Sequence, residues 1–275
     1  MSLKLAFTTL GCPNWDLPTI VQRAVEYGFT GVDFRGYLGD VDLREASAFK
    51  TGLDETAARV HDAGLVVPCL SSSAAMFDET PEAARSSLAE MRDYAEMCAA
   101  FNAPYVRIFG GSTKGVSHEK AIGTAAGTLI MAADIARKAG ITIVVETHDN
   151  WVSTGPLLEA FEVAGWPKGV GILWDIHHPF RLAGETPVES YRRIGRHTLY
   201  THWKDSRRGP NGKGYELCLI GEGDVPLPEI FHLLRDGGYD GWYTYEWEKR
   251  WMKDIPEPEV AFPRFVRYMR TLAEG

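Results

Sequence analysis

Four short apolar runs in this sequence each end on a side chain that binds metals: Ile143-Val144-Val145-Glu146, Ile172-Leu173-Trp174-Asp175, Leu199-Tyr200-Thr201-His202 and Trp242-Tyr243-Thr244-Tyr245-Glu246. Runs of this length, rich in β-branched and aromatic residues, read as strands. Three carboxylates and one imidazole, each at the C-terminal tip of its own strand, are what a parallel α/β barrel needs to hold a divalent cation at its catalytic rim. Oxygen donors with one nitrogen and no thiolate suit Mn²⁺ first, with Mg²⁺, Co²⁺ and Zn²⁺ as the alternatives. A single acidic residue at a strand end can do no more than cap the next helix, but four suitable residues on four successive strands are poorly explained that way.

Side chains two apart on a strand share a face, so Glu146 and His148, His202 and Lys204, and Glu246 and Glu248 are each paired toward one side. His178 follows Asp175 by three residues, where a turn brings the imidazole back over the site. Beside a metal, Lys204 can hold a substrate oxygen or transfer a proton, and His148 or His178 can bind substrate or protonate a leaving hydroxyl. The plainer reading gives Lys204 an ordinary ion pair with Asp205 or another neighbour, and makes His148 and His178 packed residues hydrogen-bonded to backbone. His177 reads as structural, and His61, His118 and His232 as surface residues on helix faces. Burial in a ring of helices explains most of Phe77, Trp151, Trp174, Trp203 and Trp247, whereas Trp15 and Trp151, in strand-to-helix loops, are the candidates for stacking on a sugar ring.

Positioning these groups takes a regular alternation of strands and helices. Strands are expected at Leu5 to Leu10, Gly31 to Phe34, Val66 to Leu70, Tyr105 to Phe109, Thr142 to Glu146, Gly171 to Asp175, Thr198 to His202 and Trp242 to Glu246. Helix ends are legible between them: Asp16 before Leu17 and Gly28 after Tyr27, Thr80-Pro81 opening a helix toward Phe101, and Ser117 opening one that stops at Gly140. Thr186-Pro187-Val188-Glu189 has the form of a capping box with Pro at the first helical position. Continuous apolar runs such as Ile141 to Val145 suit strands buried on both faces. Eight such units predict one closed (β/α)8 barrel over residues 1–275, rather than an open doubly wound sheet with its ligand at a single switch point. The Gly-rich, charged stretch Ser206 to Gly214 reads as a long loop after the seventh strand.

At 275 residues and 45% hydrophobic content the chain has length and apolar material for one barrel. With 29 Lys plus Arg against 37 Asp plus Glu, a net charge of -8 offers no general footprint for nucleic acid or anionic membrane. A small polyhydroxylated substrate fits better. Cys12, Cys69, Cys98 and Cys218 are scattered with no CxxC spacing, which suits reduced thiols in the cytoplasm. Met1-Ser2-Leu3-Lys4 leads straight into a strand without the pattern of a signal peptide, and no apolar run approaches a membrane span.

The chain resembles the xylose isomerase-like TIM barrels, the family of sugar phosphate isomerases, epimerases and endonuclease-IV-type enzymes. Glu146-Thr147-His148, Asp175-Ile176-His177-His178, His202-Trp203-Lys204-Asp205, Gly221-Glu222-Gly223-Asp224-Val225, Gly238-Tyr239-Asp240-Gly241 and Tyr245-Glu246-Trp247-Glu248 carry the resemblance over nearly the whole chain. It implies that Glu146, Asp175, His202 and Glu246 chelate one divalent ion, that Glu146 and Glu246 double as an acid/base pair, and that His178 and an arginine of the Arg207-Arg208 pair contact substrate. Relatives that cut DNA at abasic sites need further histidines, which the strand ends Leu70-Ser71-Ser72-Ser73 and Arg107-Ile108-Phe109-Gly110 lack. His148, Lys204 and Arg107 resemble the dehydratase branch, which includes inosose dehydratase and 3-dehydroshikimate dehydratase, although Arg107 in an ion pair with a buried glutamate is an equally good reading.

The first expectation is therefore an isomerase or epimerase, the second a lyase that expels water after the same proton abstraction, and the third an accessory subunit with a structural metal. Homodimers or tetramers are common in the family, and the segment after the last strand, with Trp251, Pro256 and Phe262, is the expected contact.

Overall fold

The computed structural model describes residues 3–275, so Met1 and Ser2 of the expected N-terminal lead-in lie outside the described residues. In chain order the elements are β1 (Lys4–Thr8), α1 (Leu17–Tyr27), β2 (Gly31–Asp33), α2 (Ser47–Lys50), α3 (Leu53–Asp62), β3 (Cys69–Ala75), α4 (Pro81–Phe101), β4 (Tyr105–Phe109) and α5 (His118–Ala139). They continue as β5 (Thr142–Glu146), α6 (Thr154–Val163), β6 (Val170–Asp175), α7 (Pro187–Ile194), β7 (Thr198–Trp203), β8 (Asp205–Arg208), β9 (Tyr215–Cys218), α8 (Leu227–Asp236), β10 (Trp242–Tyr245) and α9 (Pro258–Glu274). Eight parallel strands with helices between them make a nearly closed α/β barrel, and β8 and β9 form a separate hairpin. No helix among the described residues is long and apolar enough to cross a membrane.

Two compact units divide the chain, residues 1–68 with 201–275, and residues 69–200. In the first, the strands run β2-β1-β10-β7, all parallel, with Phe7 opposite both Val32 and Tyr245. Its core is aromatic: the Phe7 and Phe262 rings lie 4.4 Å apart, and Tyr245 stacks on Phe265 at 4.6 Å. Phe262 is thus wholly buried, which removes it from the expected oligomer contact, while Trp251 is exposed. In the second unit, β3, β4, β5 and β6 pair in parallel register, and Ile143, Val144 and Val145 have no exposed surface, as a strand covered on both faces requires.

The helix signals hold in detail. Asp16 and Thr80 accept hydrogen bonds from the backbone N–H groups of Thr19 and Ala83, and Thr186 and Glu189 complete both arms of a capping box. Strand ends shift by a few residues. Thr9 starts a 3-10 turn, so β1 stops at Thr8, and its hydroxyl instead bonds Gly36 O at 2.7 Å. The third strand begins at Cys69, after Pro68, and runs on to Ala75. Its serines hide it from a reading of propensity, yet Ser72 Oγ donates to Arg107 O at 2.8 Å and Ser73 N donates to Glu90.

The expected loop at Ser206 to Gly214 is largely a hairpin, with Arg207 opposite Glu216 and the turn closed by Gly209 N donating to Gly214 O. Glycine, proline and charge mark the turn correctly, but the short polar strands flanking it carry no apolar alternation.

The loops after β5 and β6 are tied by a buried carboxylate. Glu185 accepts from Ser153 Oγ, Thr154 N, Thr154 Oγ1 and Ser190 Oγ at 2.6 to 2.9 Å, and Arg193 Nη1 lies 3.0 Å away. Glu185→Ala strands these donors and is expected to lower stability by about 3 kcal/mol, read as a lower urea midpoint at unchanged m-value.

Candidate metal and substrate site

In the second unit, Glu146 ends β5 with no exposed surface. Arg107, equally buried on β4, lies beside it: the guanidinium Nε is 3.3 Å from Glu146 Oε2, Nη1 donates to Ser72 O at 2.9 Å, and the group sits 3.9 Å above the Phe109 ring centroid. A buried cation needs such partners, and Glu146 and Ser72 O supply them for Arg107.

Asp175 ends β6, and the chain then turns sharply, so that its Oδ1 accepts from the backbone N–H groups of His177 and His178 at 2.9 and 3.2 Å. Thr147 braces this turn from the neighbouring strand end: its hydroxyl accepts from Asp175 N at 3.0 Å and reaches Asp175 O at 3.2 Å. Thr147 O is 2.9 Å from His178 Nδ1. A carbonyl oxygen only accepts, so Nδ1 of His178 carries a proton. The turn therefore does return His178 to the strand ends, and ligand atoms of Asp175, His177 and His178 lie within 4.8 Å of one another. His148 packs edge-on to His178 with ring centroids 4.9 Å apart, and its Nδ1 is 2.9 Å from Asp149. Burial raises the Asp149 carboxyl, but His148 and the Gly111 N–H outweigh it and hold the group below the usual range.

In the first unit, His202 lies on β7 with no exposed surface, its Nδ1 3.3 Å from Glu246 Oε1 and its Nε2 3.5 Å from Asp33 Oδ2. Lys204, also wholly buried, donates to Glu246 Oε2 at 2.5 Å and to Glu248 Oε1 at 2.7 Å. Burial alone would raise the Glu246 carboxyl, yet the Lys204 ammonium and His202 hold it well below the ordinary carboxylate range. Lys204 is thus tied to the glutamates that follow the last barrel strand, not to Asp205. Asp205 instead accepts from the N–H groups of Ser206, Gly221, Gly223 and Val225, and so folds the Gly221-Glu222-Gly223-Asp224-Val225 loop around itself. A Cβ at Gly223 would sit 2.0 Å from Asp205 Oδ1, which explains glycine there.

The remaining candidates have surroundings of their own. Arg207 and Arg208 are exposed on β8, where Arg207 Nε donates to Glu222 O at 2.7 Å. Trp15 is buried edge-on to Phe262 and borders a pocket of about 930 Å³ with Arg250 and Trp251. Trp151 is buried beneath Gly110, where a Cβ would meet its ring at 2.4 Å. Sequence reasoning passes over Asp33, although it is a carboxylate at the tip of β2 and gives the same signal as Asp175.

Residues 21–272 match the family described as xylose isomerase-like TIM barrel. Inosose dehydratase from Lacticaseibacillus casei is 25% identical over 130 residues, which is 42% of this chain and 43% of that protein, so the chain matches less than half of that relative's length. Among solved structures, IOLI protein with a binding zinc atom superposes with a TM-score of 0.82 at 16% identity, covering 98% of both chains. The apo form of 3-keto-D-glucoside 4-epimerase from E. coli gives 0.79 at 15% identity, covering 98% of this chain and 100% of the other. Such identities speak for a shared fold.

The pairing of Lys204 with Glu246 makes stability depend on pH. Glu246, with its folded value lowered, contributes stability above the unfolded carboxylate value near pH ~4.3, and that stability is lost as pH falls through the folded value. Lys204→Met removes the strongest of the influences that lower the Glu246 carboxyl against burial, so the variant gains less stability than the wild type as pH rises. The difference in urea midpoint between wild type and Lys204→Met, both metal-free, is expected to widen from pH 4 to pH 8; a constant difference would show that the pair does not govern Glu246.

Proposed function

The chain belongs to the xylose isomerase-like TIM barrel family, and on that premise we propose that it is a divalent-metal-dependent isomerase or epimerase of a small ketose, polyol or sugar derivative. One observation carries the reading: Glu146 and Asp175 in one unit, and His202 and Glu246 in the other, are all buried side chains of metal-ligating type at strand ends. Three carboxylates and one imidazole suit Mn²⁺, with Mg²⁺, Co²⁺ and Zn²⁺ as alternatives. When bound, the ion supplies Lewis-acid polarisation of a substrate oxygen, which lowers the cost of removing the adjacent proton.

The side chains divide the remaining work. Glu146 and Glu246 take up and return the proton on either side of the substrate, as a general acid/base pair. Arg107 fixes the carboxylate of Glu146. Lys204 keeps Glu246 ionised and so ready to ligate and to accept a proton, and its ammonium is a proton donor in direct contact with that carboxylate. His178 offers Nε2 to a substrate hydroxyl, and an arginine of the Arg207-Arg208 pair reaches the substrate from the hairpin. Trp15 supplies an aromatic face toward the outer pocket. Cys12, Cys69, Cys98 and Cys218 carry thiols rather than disulfides, which suits work in a reducing cytoplasm.

A second reading, a dehydratase of the inosose or 3-dehydroshikimate type, draws on the adjacency of His148 and His178 and on buried Lys204. There the same proton abstraction is followed by loss of a β-hydroxyl, which an imidazolium can protonate as it leaves.

Proton NMR in D₂O on metal-free and Mn²⁺-loaded protein, with a panel of ketohexoses, inososes and 3-dehydroshikimate, separates the two. Metal-dependent deuterium at a carbon with all hydroxyls retained is the expected result, and Glu246→Gln is expected to slow it at least ~100-fold. New vinylic signals with loss of water would replace the first reading by the second. Full turnover by Glu246→Gln would end the two-glutamate mechanism.

A further inference from the structure

We propose that Asp33, the acidic tip of β2, is a positioning residue of the metal centre: its carboxylate accepts a hydrogen bond from the Nε2–H of His202 and thereby fixes Nδ1 as the nitrogen that faces the ion. The proposal rests on the reading of His202 and Glu246 as ligands. An imidazole ligates through one nitrogen and donates from the other, and the partner of that second nitrogen sets the tautomer and the ring orientation.

Here the two nitrogens have different neighbours. Nδ1 is 3.3 Å from Glu246 Oε1, and Nε2 is 3.5 Å from Asp33 Oδ2. Because Glu246 is itself a ligand, an ion shared by His202 and Glu246 lies on the Nδ1 side of the ring, which leaves the Nε2 proton to Asp33. Asp33 stands outside the four-donor set and so acts through His202 rather than on the ion.

Burial and topology agree with this assignment. Asp33 has no exposed surface, and a carboxylate is kept in such a place only with partners that repay its desolvation. In the strand order β2-β1-β10-β7, two strands separate Asp33 from His202. The contact therefore spans the strand ends and is not a by-product of neighbouring register. A negative charge behind a ligating imidazole raises its basicity and its hold on the ion.

Zinc titration of the metal-free protein, followed by calorimetry, tests this directly. Asp33→Asn keeps an acceptor but loses the charge and is expected to weaken zinc about tenfold, and Asp33→Ala about a hundredfold. ¹⁵N NMR of the zinc-loaded, histidine-labelled wild type is expected to show His202 bound through Nδ1 with a proton on Nε2. Wild-type zinc affinity in Asp33→Asn and Asp33→Ala, or ligation through Nε2, would overturn the proposal. Should Asp33→Ala not fold, the near-isosteric Asp33→Asn and the wild-type spectrum still decide it. His202→Ala separates the two levels: zinc binding that survives this change refutes the metal reading itself, whereas binding lost in His202→Ala and intact in both Asp33 variants refutes only the role of Asp33.

Discussion

The dominant constraint on this protein is the cost of placing charge where water does not reach. Glu146, Asp175, Asp33, His202, Lys204 and Arg107 are each at most 1% exposed, and Glu246 only 5%. An isolated ion in such surroundings loses several kcal/mol of hydration, so each must be answered by an opposite charge or by directed hydrogen bonds. Arg107 answers Glu146, Lys204 answers Glu246 and Glu248, and two backbone N–H groups answer Asp175. Carboxylates still outnumber the cations beside them, which is the electrostatic setting in which a divalent cation binds well.

Strands deliver these groups, and the connecting segments keep them in place. Because the chain leaves each barrel strand at its C-terminal end, a residue at the tip is fixed by the sheet below it while the loop above is free to vary. The loops here are fastened by buried acceptors outside the ligand set. Asp205 gathers the glycine loop after the hairpin, Glu185 ties the openings of α6 and α7, and Thr147 joins the ends of β5 and β6 while setting the tautomer of His178. Loss of these fasteners would blur the geometry of the candidate donors without touching one of them.

Much of this is legible in the sequence because barrel strands and metal donors both leave local marks. Apolar runs such as Ile143 to Val145 announce buried strands, and capping signals at Asp16, Thr80 and Thr186 mark helix starts. What stays hidden is carried by long-range bonding. The serines of β3 have no strand propensity and are held by Arg107 and Glu90, partners distant in sequence. The short polar strands of the β8–β9 hairpin bury too little to show a period. Asp33 gives the right signal on a strand of only three residues, and its partner His202 lies 169 positions away. Phe262, expected at a subunit contact, is an anchor of the aromatic core.

Family membership fixes the scaffold, while in the chemistry proposed above the choice between reprotonating an enolate and expelling a hydroxyl would lie with the few groups around the donors. Every version of that chemistry requires one divalent ion held by the buried donors. Equilibrium dialysis of metal-stripped protein against Mn²⁺, with bound metal counted by elemental analysis, is therefore the most direct measurement. One ion per chain in the wild type, and none in Asp175→Ala or His202→Ala at the same free Mn²⁺, is the predicted result. No bound ion in the wild type, or full occupancy in both variants, would contradict it.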